Sequence, residues 1–338
     1  MALFDLPLDE LRGYRPEIAE PQGFDKFWES TLAEARTIAL EPVFQPVDSG
    51  LVVVDTFDVT FTGFGGTRVK AWLHVPAGAT APLPTVVEYV GYNGGRGLAH
   101  QNVLYASAGY AHFIMDTRGQ GAGSTVGQTP DDHADAGLNA VSGRMTQGIL
   151  DPATYYYRRL YTDAVRAVDA AAAHPLVDAS RMVVAGASQG GGLCIAVAAL
   201  SKRVVGAMPD VPFLSHFSRA ITITDNLPYG EIPAYLMRHR DQVQQVYRTL
   251  SFFDGVVLAK RAHVPALFSV ALMDRTCPPS TVFAAYNHWA CEDRDIEVYP
   301  FNGHEGGQEF HQLRKLGWLR AHTPVTSVTG FHIGPVRH

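Results

Sequence analysis

With 338 residues, 46% of them apolar and 18% charged, the chain can bury a substantial core in one large domain or two, which excludes global disorder. Its 27 basic and 33 acidic residues leave a net charge of −6, a balance that offers no basic footprint for nucleic acid. No apolar run approaches the ~20 residues of a membrane span, Met1–Glu10 lacks the pattern of a secretory signal, and the three cysteines show no CxxC spacing, so the expectation is a cytoplasmic chain in a reducing compartment.

Taken in order, residues up to about 45 read as an N-terminal extension with one helix, on which Phe24, Phe27, Trp28 and Leu32 share a face. Leu51–Phe61 and Val69–Val75 are rich in β-branched and aromatic residues around a glycine-rich turn, which predicts an antiparallel pair. From Pro84 onward, short apolar strands alternate with helical stretches. The strands are expected at Thr85–Val90, Ala111–Asp116, Arg181–Ala185, Val264–Ala271 and Ile296–Tyr299. The helices are expected near 97–107, 160–173, 190–201, 279–290 and 307–319. This alternation predicts an α/β fold, a mostly parallel sheet with helices on both faces. The long gap at about 210–258 is too long for a structureless loop and reads as a helical insertion. The last stretch, 321–338, has no periodicity and reads as a tail.

The chemistry is concentrated in one passage. An apolar strand ends in Gly186-Ala187-Ser188-Gln189-Gly190 and a helix follows, the strand–turn–helix setting of a GxSxG nucleophile elbow. A serine hydroxyl is too weak an acid to attack unaided, so a base and a group that orients the base must follow. In an α/β-hydrolase the chain order is Ser, then Asp or Glu, then His. Asp274 stands just past an apolar strand, whereas Asp293 and Asp295 flank the next strand on the wrong edge. His304, between Gly303 and Gly306-Gly307, sits in a loop able to return an imidazole to Ser188, while His288 and His311 fall inside helices. The oxyanion needs two N–H donors. One is expected from Gln189, the residue after the nucleophile, and the other from Tyr92 in the glycine-rich loop after an early strand. The run Gly119–Ser124 is no dinucleotide fingerprint, because Ser124 stands where the third glycine belongs.

Asp116-Thr-Arg-Gly-Gln-Gly121, Gly186-Ala-Ser-Gln-Gly190 and Gly303-His-Glu305 together resemble the acetyl xylan esterase / cephalosporin C deacetylase family, carbohydrate esterase family seven. Asp225-Asn-Leu-Pro-Tyr-Gly-Glu-Ile232 and Phe24-Asp-Lys-Phe-Trp28 are similar to further segments of that family, so the likeness spans about 1–320. The resemblance implies one α/β-hydrolase domain that removes acetyl groups from small esters, such as short acetylated xylo-oligosaccharides and cephalosporin-type acetyl esters. It implies no cofactor, no metal and a homo-oligomer, specifically a hexamer. Carried over, it assigns the triad to Ser188, Asp274 and His304, and the oxyanion hole to Tyr92 and Gln189. Arg118, Gln120 and Glu305 become supports, with Glu305 paired to Arg118. Apart from the resemblance, the aromatic-rich insertion, with Phe213, Pro228 and Tyr229, is expected to wall the substrate pocket. The tail 321–338 departs from the family's usual ending and bears on how subunits would pack. Two competing readings share the fold: a serine peptidase of the prolyl-oligopeptidase type and a non-catalytic binding protein. The first expects a large extra domain and the second a broken triad.

Overall fold

The computed structural model describes residues 4–132 and 143–325. The chain opens with α1 (Leu8–Gly13) and α2 (Phe24–Arg36), then β1 (Val43–Val47), β2 (Val54–Thr62), β3 (Arg68–Pro76) and β4 (Leu83–Tyr89). After α3 (Leu104–Ser107) come β5 (Ala111–Met115), α4 (Tyr156–Ala171), β6 (Val177–Ala187), α5 (Gln189–Leu200) and β7 (Val204–Asp210). Four short helices then form the excursion: α6 (Phe217–Ile223), α7 (Glu231–Leu236), α8 (Val243–Ser251) and α9 (Gly255–Ala259). The chain returns through β8 (Ala266–Ala271), α10 (Pro279–His288), β9 (Arg294–Tyr299) and α11 (Gln308–His322).

The described strands form one sheet in the order β1-β2-β3-β5-β4-β6-β7-β8-β9. The first three are antiparallel, β3 meets β5 antiparallel, and everything from β5 to β9 is parallel. Side chains alternate across a strand, and here both faces are apolar. Val87 and Val184 face the larger core with α4, α5, α9 and α10, while their neighbours Val86, Val183 and Ala185 face a smaller one with Trp318 and Leu319 of α11. Helix α5 is apolar all round and mostly buried, as befits a helix at the centre of the larger core.

The N-terminal extension docks late in the chain. Phe24 stacks on Phe252, Phe27 and Trp28 meet Phe253 edge-on, and the Trp28 indole donates to the Phe252 carbonyl at 2.9 Å. The Asp5 carboxylate accepts from Arg219 at 2.9 Å and from the Ser280 N–H at 2.7 Å. Asn287 donates to the carbonyls of Leu11 and Tyr14.

The structure differs from the sequence expectations in five places. The extension holds two helices, α1 and α2, where one is expected, the short α1 lacking a long apolar face. β1 carries Pro46 and no clean alternation, which is tolerated because it is an edge strand. β7 was hidden by Gly206 and Pro209. A Cβ on Gly206 would lie 2.7 Å from the Trp318 ring, so the glycine marks the close approach of α11. Pro209 falls between the two pairings that β7 makes with β8, Ala207 to Ala266 and Asp210 to Ser269. Near 97–107 only Leu104–Ser107 is helical, because Gly97 and Asn102 have positive φ and break the run. The expected tail is helical to His322, with the Pro324 carbonyl bonded to Arg181; residues 326–338 lie outside the described part.

Candidate active site

Three strand ends converge on Ser188. It follows β6 directly with φ 58° and ψ −117°, a strained backbone for an L-residue. Its neighbours over-determine that geometry: the Ser188 N–H donates to the Asp210 carbonyl at 3.0 Å, and its own carbonyl accepts from Gly192 at 3.0 Å and Phe213 at 2.9 Å. The flanking glycines are steric requirements. A Cβ on Gly186 would come within 2.6 Å of the Tyr89 carbonyl oxygen, and one on Gly190 within 2.0 Å of the same atom.

Asp274 lies just beyond β8 and is fully buried. Its Oδ1 accepts from the N–H groups of Thr276 at 2.8 Å and Cys277 at 2.9 Å, leaving Oδ2 to face His304 Nδ1 at 2.9 Å. His304 Nε2 in turn stands 3.0 Å from Ser188 Oγ. His304 rides on the loop between β9 and α11 with 35% of its side chain exposed. Two main-chain bonds stitch that loop to the acid's segment: Leu272 N–H to Tyr299 O at 3.0 Å and Met273 N–H to Asn302 O at 3.1 Å. The donors of Asp274, Cys277 and His304 lie within 4.8 Å of one another, a cluster of metal-ligand type. Here both oxygens of its carboxylate are already taken up by the bonds just described. The competitors are occupied elsewhere: Asp295 pairs with Arg314, His288 Nδ1 faces the Ala284 carbonyl and His311 faces Asp210.

On the opposite side, Gly91–Gly94 form a tight turn closed by Gly94 N–H to Gly91 O at 3.0 Å, with Asn93 at φ 63°. The turn leaves the Tyr92 N–H outside its own hydrogen bond, and the Gln189 N–H is the first of helix α5. Neither has an acceptor among the described residues. Gln120 ties both segments together. Its Oε1 accepts from the Asn93 N–H at 2.6 Å, and its Nε2 donates to Gln189 Oε1 at 2.9 Å and to Tyr156 OH at 2.9 Å. Tyr157 OH donates to the same Gln189 oxygen at 3.1 Å.

Arg118 is fully buried and does not pair with Glu305. It forms a bidentate pair with Asp163 of α4 at 2.5 and 2.8 Å and reaches Asp131 at 3.3 Å. Burial alone would lower its basicity, but these carboxylates raise it. Glu305 is exposed instead and accepts from Asn302 and the Gly303 N–H at 3.2 and 3.1 Å. Phe213 and Tyr229 are fully buried, their rings 4.2 Å apart, and Pro228 is buried beside them after a cis peptide bond. Phe213 also lies edge-on to Tyr92, ring centroids 6.5 Å apart.

Sequence reasoning missed Glu231. One of its oxygens accepts from Tyr92 OH at 2.9 Å and from the Gly143 N–H, and the other from the Met145 N–H at 3.1 Å. Burial, and then the Glu231 charge, push the Tyr92 phenol well above its ordinary value, so it stays a donor. Glu231 lies in the family-like segment Asp225–Ile232, but the likeness gives it no role. Asp163 carried no signal at all, since its pairing with Arg118 spans 45 residues.

No helix among the described residues is long and apolar enough to cross a membrane. The chain matches the acetyl xylan esterase (AXE1) family over residues 1–322. It is 26% identical over 326 residues to acetyl esterase Axe7A of Xylanibacter ruminicola, covering 91% of this chain and 70% of that one. Among solved structures, an acetyl xylan esterase from Paenibacillus sp. R4 is similar at 40% identity and a TM-score of 0.88, covering 94% of this chain and 100% of that one. Acetyl xylan esterase 1 from Thermoanaerobacterium sp. JW/SL YS485 follows at 32% identity and a TM-score of 0.83, covering 92% and 98%. With that match along nearly its whole length and an α/β-hydrolase sheet beneath the site, the chain belongs to the acetyl xylan esterase family and is a carboxylic ester hydrolase.

Proposed function

We propose that the enzyme removes acetyl groups from small esters by two-step acyl transfer. One observation carries this reading: the unbroken line from Ser188 Oγ through His304 to Asp274, at 3.0 and 2.9 Å, with the far oxygen of the acid capped by two N–H groups. His304 Nε2 takes the Ser188 proton as Oγ attacks the acetyl carbonyl, while Asp274 holds the imidazole tautomer that can accept it. The N–H groups of Tyr92 and Gln189 receive the oxyanion, each worth roughly 3–4 kcal/mol in the transition state. His304 passes its proton to the leaving alcohol, and water then enters and cleaves the acetyl-serine by the same base. Gln120 keeps the two oxyanion segments in register, and Arg118 anchors its loop to α4.

The substrates we propose are short acetylated xylo-oligosaccharides and cephalosporin-type acetyl esters, handled in the cytoplasm by a homo-oligomer of hexameric type. Phe301, Phe310 and Leu313, 85%, 82% and 68% exposed around the His304 loop and α11, support an assembly that covers them. Light scattering after size exclusion tests the assembly. The function is tested by acetate release from p-nitrophenyl acetate and acetylated xylobiose, with butyrate and octanoate esters and Ser188→Ala alongside. Turnover confined to short acyl chains and lost in Ser188→Ala is the expected result. Turnover retained by that variant, or a preference for long chains or peptides, would overturn the reading.

A further inference from the structure

Asp210 does two jobs at once. Its backbone carbonyl holds the Ser188 N–H at 3.0 Å, and a Cβ on Gly191 would sit 2.8 Å from that same oxygen, so the elbow is pressed against it. Its carboxylate turns toward α11. Oδ1 meets His311 Nε2 at 2.7 Å and Oδ2 meets Lys315 Nζ at 2.5 Å, two residues one helical turn apart. His311 Nδ1 meets Tyr299 OH at 3.0 Å, and Tyr299 is the last residue of β9. A carboxylate only accepts, so His311 presents Nε2–H to Asp210 and its neutral form accepts the Tyr299 hydroxyl proton at Nδ1. The Tyr299 ring also lies where a side chain on Gly307 would be, 2.1 Å from its Cβ position.

The loop that carries His304 runs from Tyr299 to the start of α11 at Gln308, so both its ends are tied to Asp210, α11 directly and Tyr299 through His311. We infer that Asp210, His311 and Lys315 form a buried latch that sets His304 Nε2 against Ser188 Oγ, with Asp210 as the positioning residue that refers both groups to one point. Asp210, His311 and Lys315 are each less than 10% exposed, so water does not screen the latch. The assignment rests on the reading of Ser188 as nucleophile and His304 as its base. A displacement of about 1 Å at such a pair costs up to ~100-fold in rate.

The test compares Asp210→Asn, His311→Leu and Lys315→Arg with the natural protein. Each is titrated for reactive serine with a fluorophosphonate probe, then assayed on p-nitrophenyl acetate. In Asp210→Asn, kcat per titrated site is expected to fall about 10- to 100-fold, with KM nearly unchanged and Ser188 labelling slowed in parallel. A smaller fall is expected in His311→Leu, and near-normal kcat in Lys315→Arg, which keeps the cation. A merely structural role would lower the titratable fraction and the melting temperature while kcat per titrated site stayed within about twofold. That result overturns the latch. Should Asp210→Asn fail to fold, His311→Leu and Lys315→Arg decide alone. If the natural protein labels at Ser188 but releases no acetate, the substrate reading fails, and the latch is still judged by labelling rate.

Discussion

The sides of the site that carry the proposed nucleophile and the proposed base are built in opposite ways. Ser188, Gln189 and the Tyr92 turn sit on strand ends and a helix start, cross-braced by side chains with almost no exposure, Gln120 and Gln189 among them. His304 is on a partly exposed loop of glycines, and Glu305, the next residue along that loop, is in water. The first side is fixed by its own main chain. The second borrows its position from β9, α11 and the buried Asp274. A nucleophile on a strained turn cannot move without breaking the sheet, whereas a base that must give and take a proton in each half-reaction needs a tethered but less confined seat.

That contrast can be broken at its joint. Asp274→Asn keeps the shape of the acid but offers an N–H where His304 needs an acceptor, which favours the wrong tautomer. A loss of about 10⁴-fold in kcat is expected, with the fold retained by circular dichroism. Next in size is Arg118→Ala on the braced side, which leaves Asp163 and Asp131 buried with one cation fewer. It should cost about 3–5 kcal/mol in denaturant unfolding, with activity falling as the folded fraction falls.

Acid sharpens the base side. Burial alone would raise the Asp210 carboxyl, but Lys315 and His311 hold it below its ordinary value. A carboxyl lowered on folding contributes its full stability above the unfolded value of about 4 and loses it as pH falls through the lower folded value. Lys315→Met removes the largest single cause of that lowering, so the acid-unfolding midpoint should move to higher pH, as read by tryptophan fluorescence. The smallest effect is expected from Glu305→Ala, which removes exposed loop bonds and should cost at most about 1 kcal/mol in kcat/KM, roughly fivefold. A loss as large as that in Asp274→Asn would mean that the open side is as tightly built as the closed one.

The triad we propose is legible in the sequence because the elbow imposes glycines where a carbonyl comes within 2.0–2.6 Å, and because chain order narrows the acid and base to particular loops. It did not reveal β7, whose Gly206 and Pro209 look like breaks until Trp318 and the gap in the β7–β8 ladder explain them. It paired Arg118 with Glu305 because both lie in family motifs. The buried guanidinium took Asp163 instead, since a cation without water needs a bidentate partner and Asp163 of α4 supplies one. Contacts of that kind belong to the folded arrangement and leave no local pattern.

The docking of α2 has a consequence for how the chain is made. Phe24, Phe27 and Trp28 bury themselves on Phe252 and Phe253, more than two hundred residues later. At roughly 5–20 residues per second, a ribosome emits that aromatic face tens of seconds before its seat exists. Until then α2 has only part of its seat, the Tyr161 ring on which Trp28 stacks, so its aromatic face stays open to a chaperone during synthesis.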